Sequence, residues 1–116
     1  MIALTPRMRV LVAVAPADFR CGIDGLARRV RQALAEDPFG GAVFVFRNRR
    51  GTAIKLLAYD GQGFWLCQKR LSQGRFRHWP TGQAGQVLAT HELAVLLAGG
   101  DWTAAAGAPV WRAVAA

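Results

Sequence analysis

AVFVFRNRRGTAIKLLAYDGQGFWLCQKRLSQGRFRHW, residues 42–79, is the stretch of this 116-residue chain whose reading decides the fold. Three runs rich in strand-forming residues, 42–47, 53–59 and 64–71, are separated by Asn48-Arg49-Arg50-Gly51 and Asp60-Gly61-Gln62-Gly63. Asn and Gly accept the left-handed backbone of a tight reversal, so the runs read as successive strands of an antiparallel meander. Ser72-Gln73-Gly74 supplies another turn. Arg75 to Trp79 then reads as a short edge strand that Pro80 ends, because proline has no N–H to give to a ladder. Residues 81–89 read as loop.

On the N-terminal side, Met8, Val10, Val12 and Val14 alternate with Arg9, Leu11 and Ala13, which suits a strand. That apolar run falls short of the roughly seven residues of a signal-peptide core and the roughly twenty of a membrane span. Ile23, Leu26, Ala27, Val30 and Leu34 recur at helical spacing and predict a helix over about 22–36, stopped by Asp37-Pro38-Phe39-Gly40-Gly41. Towards the other end, Thr90 is placed to cap a short helix over about 90–98. Its apolar side is Leu93, Leu96 and Leu97, and Gly99-Gly100 is its stop. The expectation is an α+β fold: an antiparallel meander of about four to five strands, one longer helix and a short C-terminal one. A single domain spans 1–102, followed by a loosely ordered Ala- and Gly-rich tail, 103–116. No internal repeat is visible.

Charge is distributed unevenly. Residues 42–79 hold eight of the fifteen Lys and Arg residues and one acid, Asp60, and so carry +7 of the net +8. A localised field of one sign points to a polyanion, with nucleic acid the first candidate. The candidate contacts are Arg47, Arg49, Arg50, Lys55, Lys69, Arg70, Arg75 and Arg77. Strand parity separates Lys69 from Arg70 and allows Arg47, Lys55, Arg75 and Arg77 to share one sheet surface, with Ile54, Leu56 and Ala58 on the core side. Arg49 and Arg50 then sit at a turn tip, and Tyr59 or Trp79 offers a stacking plane. Phe44, Phe46, Trp65 and Phe76 read as core. An acidic protein partner, and then simple solvation, are the alternatives for the same surface. Arg28, Arg29 and Arg31 read as the outer face of the amphipathic helix.

Catalytic chemistry finds no support in the residue pattern. The two histidines, His78 and His91, have no sequence neighbour that recommends a nucleophile–base pair, and the carboxylates are too scattered for a two-metal site. Gly61 and Gly63 belong to a hairpin, not to a phosphate loop between a strand and a helix. Cys21 and Cys67 stand alone, so no zinc site or disulfide framework is expected, and reduced thiols fit a cytoplasmic protein. No cofactor, small-molecule substrate or membrane partner is expected.

One ordered series of motifs goes further. Asp18-Phe19-Arg20, Gly22-Ile23-Asp24-Gly25-Leu26, Asp37-Pro38-Phe39, Val43 to Gly51, Ile54-Lys55, Tyr59 to Gly63, Lys69-Arg70-Leu71, Gly74-Arg75-Phe76 and Trp79-Pro80 follow one another along the chain. Over roughly residues 2–102 this resembles the TnpB accessory proteins of IS66-type bacterial insertion sequences, which are unrelated to the RNA-guided nuclease sharing the TnpB name. The resemblance implies a non-catalytic accessory role in transposition, with strand transfer carried by a separate transposase. Its basic positions are Arg20, Arg47, Arg49, Arg50, Lys55, Lys69, Arg70 and Arg75. Cys21 stands where the family pattern has a basic residue, and Thr103 with the following alanines stands where arginine is expected, so neither position is counted as a contact. DNA and the cognate transposase, or another element-encoded protein, are the implied partners. The rival to DNA contact is an adaptor that docks the transposase through the same surface.

Overall fold

Val10–Ala13 is apolar throughout and buried at every position, which requires cover on both faces and a neighbour on each side. The computed structural model, which describes residues 7–104, meets both requirements. Its elements run β1 (Val10–Ala13), α1 (Ile23–Leu34), β2 (Val43–Arg47), β3 (Ala53–Tyr59), β4 (Phe64–Arg70), β5 (Gly85–Leu88) and α2 (Thr90–Leu97). They form one sheet in the order β4-β3-β2-β1-β5 with helices on opposite faces. The α+β class holds. The sheet is mixed, not purely antiparallel: β1 and β2 run parallel, Val10 opposite Val43 and Val12 opposite Val45. A parallel pair needs a long crossover, and α1 provides it.

Each face has its own core. Leu11, Ala13, Phe44, Phe46 and Leu57 pack with Leu26 and Val30 of α1. Val10, Val12, Val43, Val45, Ile54 and Ala58 pack with Phe76, Trp79 and, from α2, Leu93 and Leu96. The two-sided burial explains why the Ile54 and Leu57 parities both carry apolar residues, with Lys55 the charged exception. α1 ends at Ala35, whose backbone is left-handed at φ 53°, before Pro38 is reached. α2 is capped differently from expectation. Ala89 occupies the cap, Thr90 is the first helical residue, and the Glu92 carboxylate reaches back to accept the Ala89 N–H at 2.8 Å.

The C-terminal half of the chain brings two corrections. Arg75–Trp79 is not an edge strand; after Phe76 N–H donates to the Gly51 carbonyl (2.8 Å), the segment crosses the sheet face and inserts Phe76 and Trp79 as buried plugs. An edge strand forms instead at β5, within the stretch read as loop, at the opposite side of the sheet from β4. It pairs antiparallel with β1, Val10 opposite Leu88 and Ala13 opposite Gly85. Gly85 packs closely there: a Cβ would meet the Leu11 side chain at 3.3 Å, so Leu11 would have to give by a few tenths of an ångström. The chain beyond Ala104, most of the tail expected to be loose, lies outside the described residues.

Val14 N–H donates to the Ala84 carbonyl at 3.0 Å, so alternation turns the N–H of Gln86 towards β1 and that of Val87 away from it. Gln86→Pro should therefore cost about 1–3 kcal/mol, as expected for a lost ladder bond, with Val87→Pro much milder. Urea unfolding of both variants compares them directly.

Candidate nucleic-acid interface

The eight basic residues of the 42–79 segment divide into those turned into the structure and those left outside. Lys55, only 7% exposed, donates to the carbonyls of Phe19 (2.9 Å) and Cys21 (3.3 Å), and its ammonium lies 4.9 Å from the centre of the Phe19 ring. It ties the entry of α1 to β3. Arg47 does comparable work on the other face: Nη2 donates to the Val14 carbonyl at 2.9 Å and the guanidinium stacks over Trp79 at 5.6 Å. Its Nε is buried without a partner among the described residues, and desolvation lowers its pKa from the ordinary arginine value. Lys69 is exposed but engaged, donating to the Leu97 carbonyl at the C-terminal end of α2 (2.6 Å), where the helix dipole favours a cation.

A shared sheet surface for Arg47, Lys55, Arg75 and Arg77 is thus not what forms. Arg47 joins the Trp79 face and Lys55 the α1 face, because both faces of the sheet are covered and each long side chain finds a carbonyl to satisfy its charge. The stacking planes are also occupied. Trp79 is buried under Arg47, and Tyr59 packs edge-on against Phe39 and Phe64. Trp65, read as core, is 46% exposed, its indole N–H held by Asp60 at 2.8 Å. Phe44, Phe46 and Phe76 are core as expected.

The remaining five, Arg49, Arg50, Arg70, Arg75 and Arg77, are all exposed, and the backbone brings them to one end of the sheet. Arg49 and Arg50 occupy the middle of the β2–β3 turn. Asn48 stiffens this turn: its Oδ1 accepts from the N–H groups of Thr52 (2.8 Å) and Ala53 (3.1 Å), and its Nδ2 donates to Thr52 Oγ1 (2.9 Å). Gly51 closes the reversal at φ 70°, a left-handed backbone that a side chain would strain. Arg70 lies opposite Ala53 on the neighbouring strand, and Leu71 N–H bonds the Thr52 carbonyl (2.9 Å). Arg75 and Arg77 flank Phe76, whose N–H bonds Gly51.

Carboxylates do not neutralise this end. Glu36 pairs with Arg9, Asp37 bonds the Phe39 N–H, Asp60 holds its own hairpin and Trp65, and Glu92 caps α2. Asp24 sits in the first turn of α1 and Asp101 bonds Thr103. Asp18 alone borders the arginine cluster, and it is matched by Arg20 at 2.7 Å. Hydrogen bonds from the Arg20 side chain and backbone, with a smaller contribution from the Arg49 charge, hold the Asp18 pKa at about 2, well below its ordinary 3.8. The net effect is five positive charges with no ion-pair partner among the described residues.

The model of the family described as IS66 Orf2-like protein matches residues 8–107, almost the whole chain. The chain belongs to this family. Its relatives include two proteins of Sinorhizobium fredii, both described as uncharacterized: y4hO, 41% identical over 88% of this chain and 89% of the relative, and y4jC, 38% identical over 97% and 96%. No solved structure matches. Membership places the chain among the accessory proteins of IS66-type insertion sequences. Among its described residues no cluster of His, Cys, Asp and Glu is arranged to hold a metal ion, and no helix is long and apolar enough to cross a membrane.

Two outcomes separate the structural from the outward-facing cations. Lys55→Met and Arg47→Met should each lower stability by about 1–3 kcal/mol in urea, since each removes a donor from a carbonyl turned inward. Arg49→Ala and Arg75→Ala should stay within about 0.5 kcal/mol of the parent. In an NMR pH titration the Asp18 carboxyl should have its midpoint at about 2, rising towards 3.8 in Arg20→Ala. Because the folded value is depressed, any stability from this exposed pair is present above the ordinary carboxylate pKa and is lost as pH falls through about 2.

Proposed function

We propose that the chain is a non-catalytic, cytoplasmic accessory protein of transposition. In this reading it grips the DNA backbone with the arginine end of its sheet while a separate transposase performs strand transfer. The observation that carries the reading is the convergence of Arg49, Arg50, Arg70, Arg75 and Arg77, without matching carboxylates, on the end where the β2–β3 turn, the end of β4 and the 75–77 segment meet. Guanidinium groups bind phosphate oxygens in bidentate fashion, and a turn held by Asn48 presents two of them at low ordering cost. Lys69 contributes at long range, and Arg47 and Lys55 act by fixing the scaffold. Family membership supports the process; the charge distribution supports the contact.

Five engaged phosphates give a slope of about −4.5 for log affinity against log salt, so binding should weaken about 500-fold between 50 and 200 mM salt. Arg49→Ala/Arg50→Ala should reduce the steepness by about 1.8 and weaken end-derived and unrelated duplexes alike. Fluorescence anisotropy across salt measures both. Undetectable binding at low salt, together with a nuclease-resistant complex between the protein and the transposase, would replace this reading with the adaptor.

A further inference from the structure

We propose that a second copy of this chain docks along the open edge of β4, continuing the sheet across a two-fold axis at Cys67. Among the described residues the sheet stops at β4, a seven-residue strand paired one-to-one with β3 and without a bulge. The bonds from Asp60 N–H to the Gly63 carbonyl and from Leu71 N–H to the Thr52 carbonyl fix the phase of that pairing. Gly63, Trp65, Cys67, Lys69 and Leu71 therefore bond towards β3. Phe64, Leu66, Gln68 and Arg70 present their N–H and C=O groups to the outside. Such an edge is a template for another strand.

The side chains of β4 select the occupant. Aromatic Phe64 and Trp65 lie at one end and cationic Lys69 and Arg70 at the other. In an antiparallel pair centred on Cys67, Arg70 of one copy meets Phe64 of the other, Lys69 meets Trp65, and Leu66 meets Gln68. The Arg70–Phe64 contact is cation–aromatic, and Trp65, already 46% exposed, is covered beside the aliphatic stem of Lys69. The four outward-facing residues of each copy then exchange roughly eight hydrogen bonds. Asp60, the acid at the hairpin tip beside Phe64, is brought to the cationic end of the other copy. Equivalent lysines are about 14 Å apart, beyond the screening length of about 8 Å. A parallel in-register pair would instead stack Lys69 on Lys69 and Arg70 on Arg70. Edge lysines commonly block such pairing, but here the Lys69 ammonium is drawn back onto the Leu97 carbonyl and does not project past the edge.

The pairing needs no DNA contact, and its test is kept apart from that reading by working with nuclease-treated protein at about 0.5 M salt. Sedimentation equilibrium of the full chain should give twice the chain mass at high concentration. In a Cys21→Ser background, mild oxidation should link Cys67 to Cys67, because a non-hydrogen-bonded antiparallel pair has its Cα atoms about 4.5 Å apart, within disulfide range. Gln68→Pro removes an outward N–H and leaves the β3 ladder whole, so it should keep the parent circular dichroism yet sediment as a monomer and fail to cross-link. A parent chain that stays monomeric overturns the proposal, as does a folded Gln68→Pro variant that still associates. A monomer that binds DNA would sink the dimer alone, and a dimer indifferent to DNA would sink only the backbone-gripping role.

Discussion

Two donors meeting the end of β1 hold this molecule in its functional shape. Trp79 Nε1 gives a hydrogen bond to the Ala13 carbonyl and Arg47 Nη2 gives one to the neighbouring Val14 carbonyl, both at 2.9 Å, with the guanidinium lying on the indole. Backbone carbonyls leaving a buried strand must find donors, and an indole N–H and a guanidinium supply them without bringing in water. Because Trp79 is anchored in this way, the segment before it is drawn across the sheet, Phe76 enters the core, and Arg75 and Arg77 are left on the outside beside the Arg49-Arg50 turn. The same contact that consumes one arginine positions two others.

Covering both faces of the sheet confines recognition to its ends and edges. The Tyr59 and Trp79 planes are spent on packing, and Arg47, Lys55 and Lys69 are spent on carbonyls. What remains outside is a set of guanidinium groups at one end, two of them on a turn held by Asn48, and the open edge of β4 along one side. Both are backbone-defined features. They fit a protein that holds or spaces a larger machinery better than one that reads base edges with a flexible surface.

Much of the fold was legible in residues 42–71 because turn chemistry there agrees with strand patterning: Asn48 and Gly51, then Asp60 and Gly61, mark the reversals where they occur. The α1 stripe was equally plain. What escaped was non-local. β5 contains Gly85 and Gln86, weak strand formers, and exists because β1 has a vacant side that they complete. Arg75–Trp79 has the alternation of a strand, yet the depth available for Phe76 and Trp79 decides its path. The basic cluster was legible as a charge excess, but parity within isolated strands gave the wrong neighbours for Arg47 and Lys55. Their outcome depended on the Phe19, Cys21 and Val14 carbonyls, which no strand-by-strand reading supplies.

The position of β1 between β2 and β5 also governs how the chain emerges during synthesis. Val10–Ala13 is made early, acquires its first neighbour only after the α1 crossover, and waits for residues 85–88 before its other side is closed. Throughout that interval a wholly apolar strand has an unsatisfied flank at the mouth of the ribosome, where chaperones are its natural guardians. A chain cut short before Gly85 would lack the strand that closes the outer side of β1.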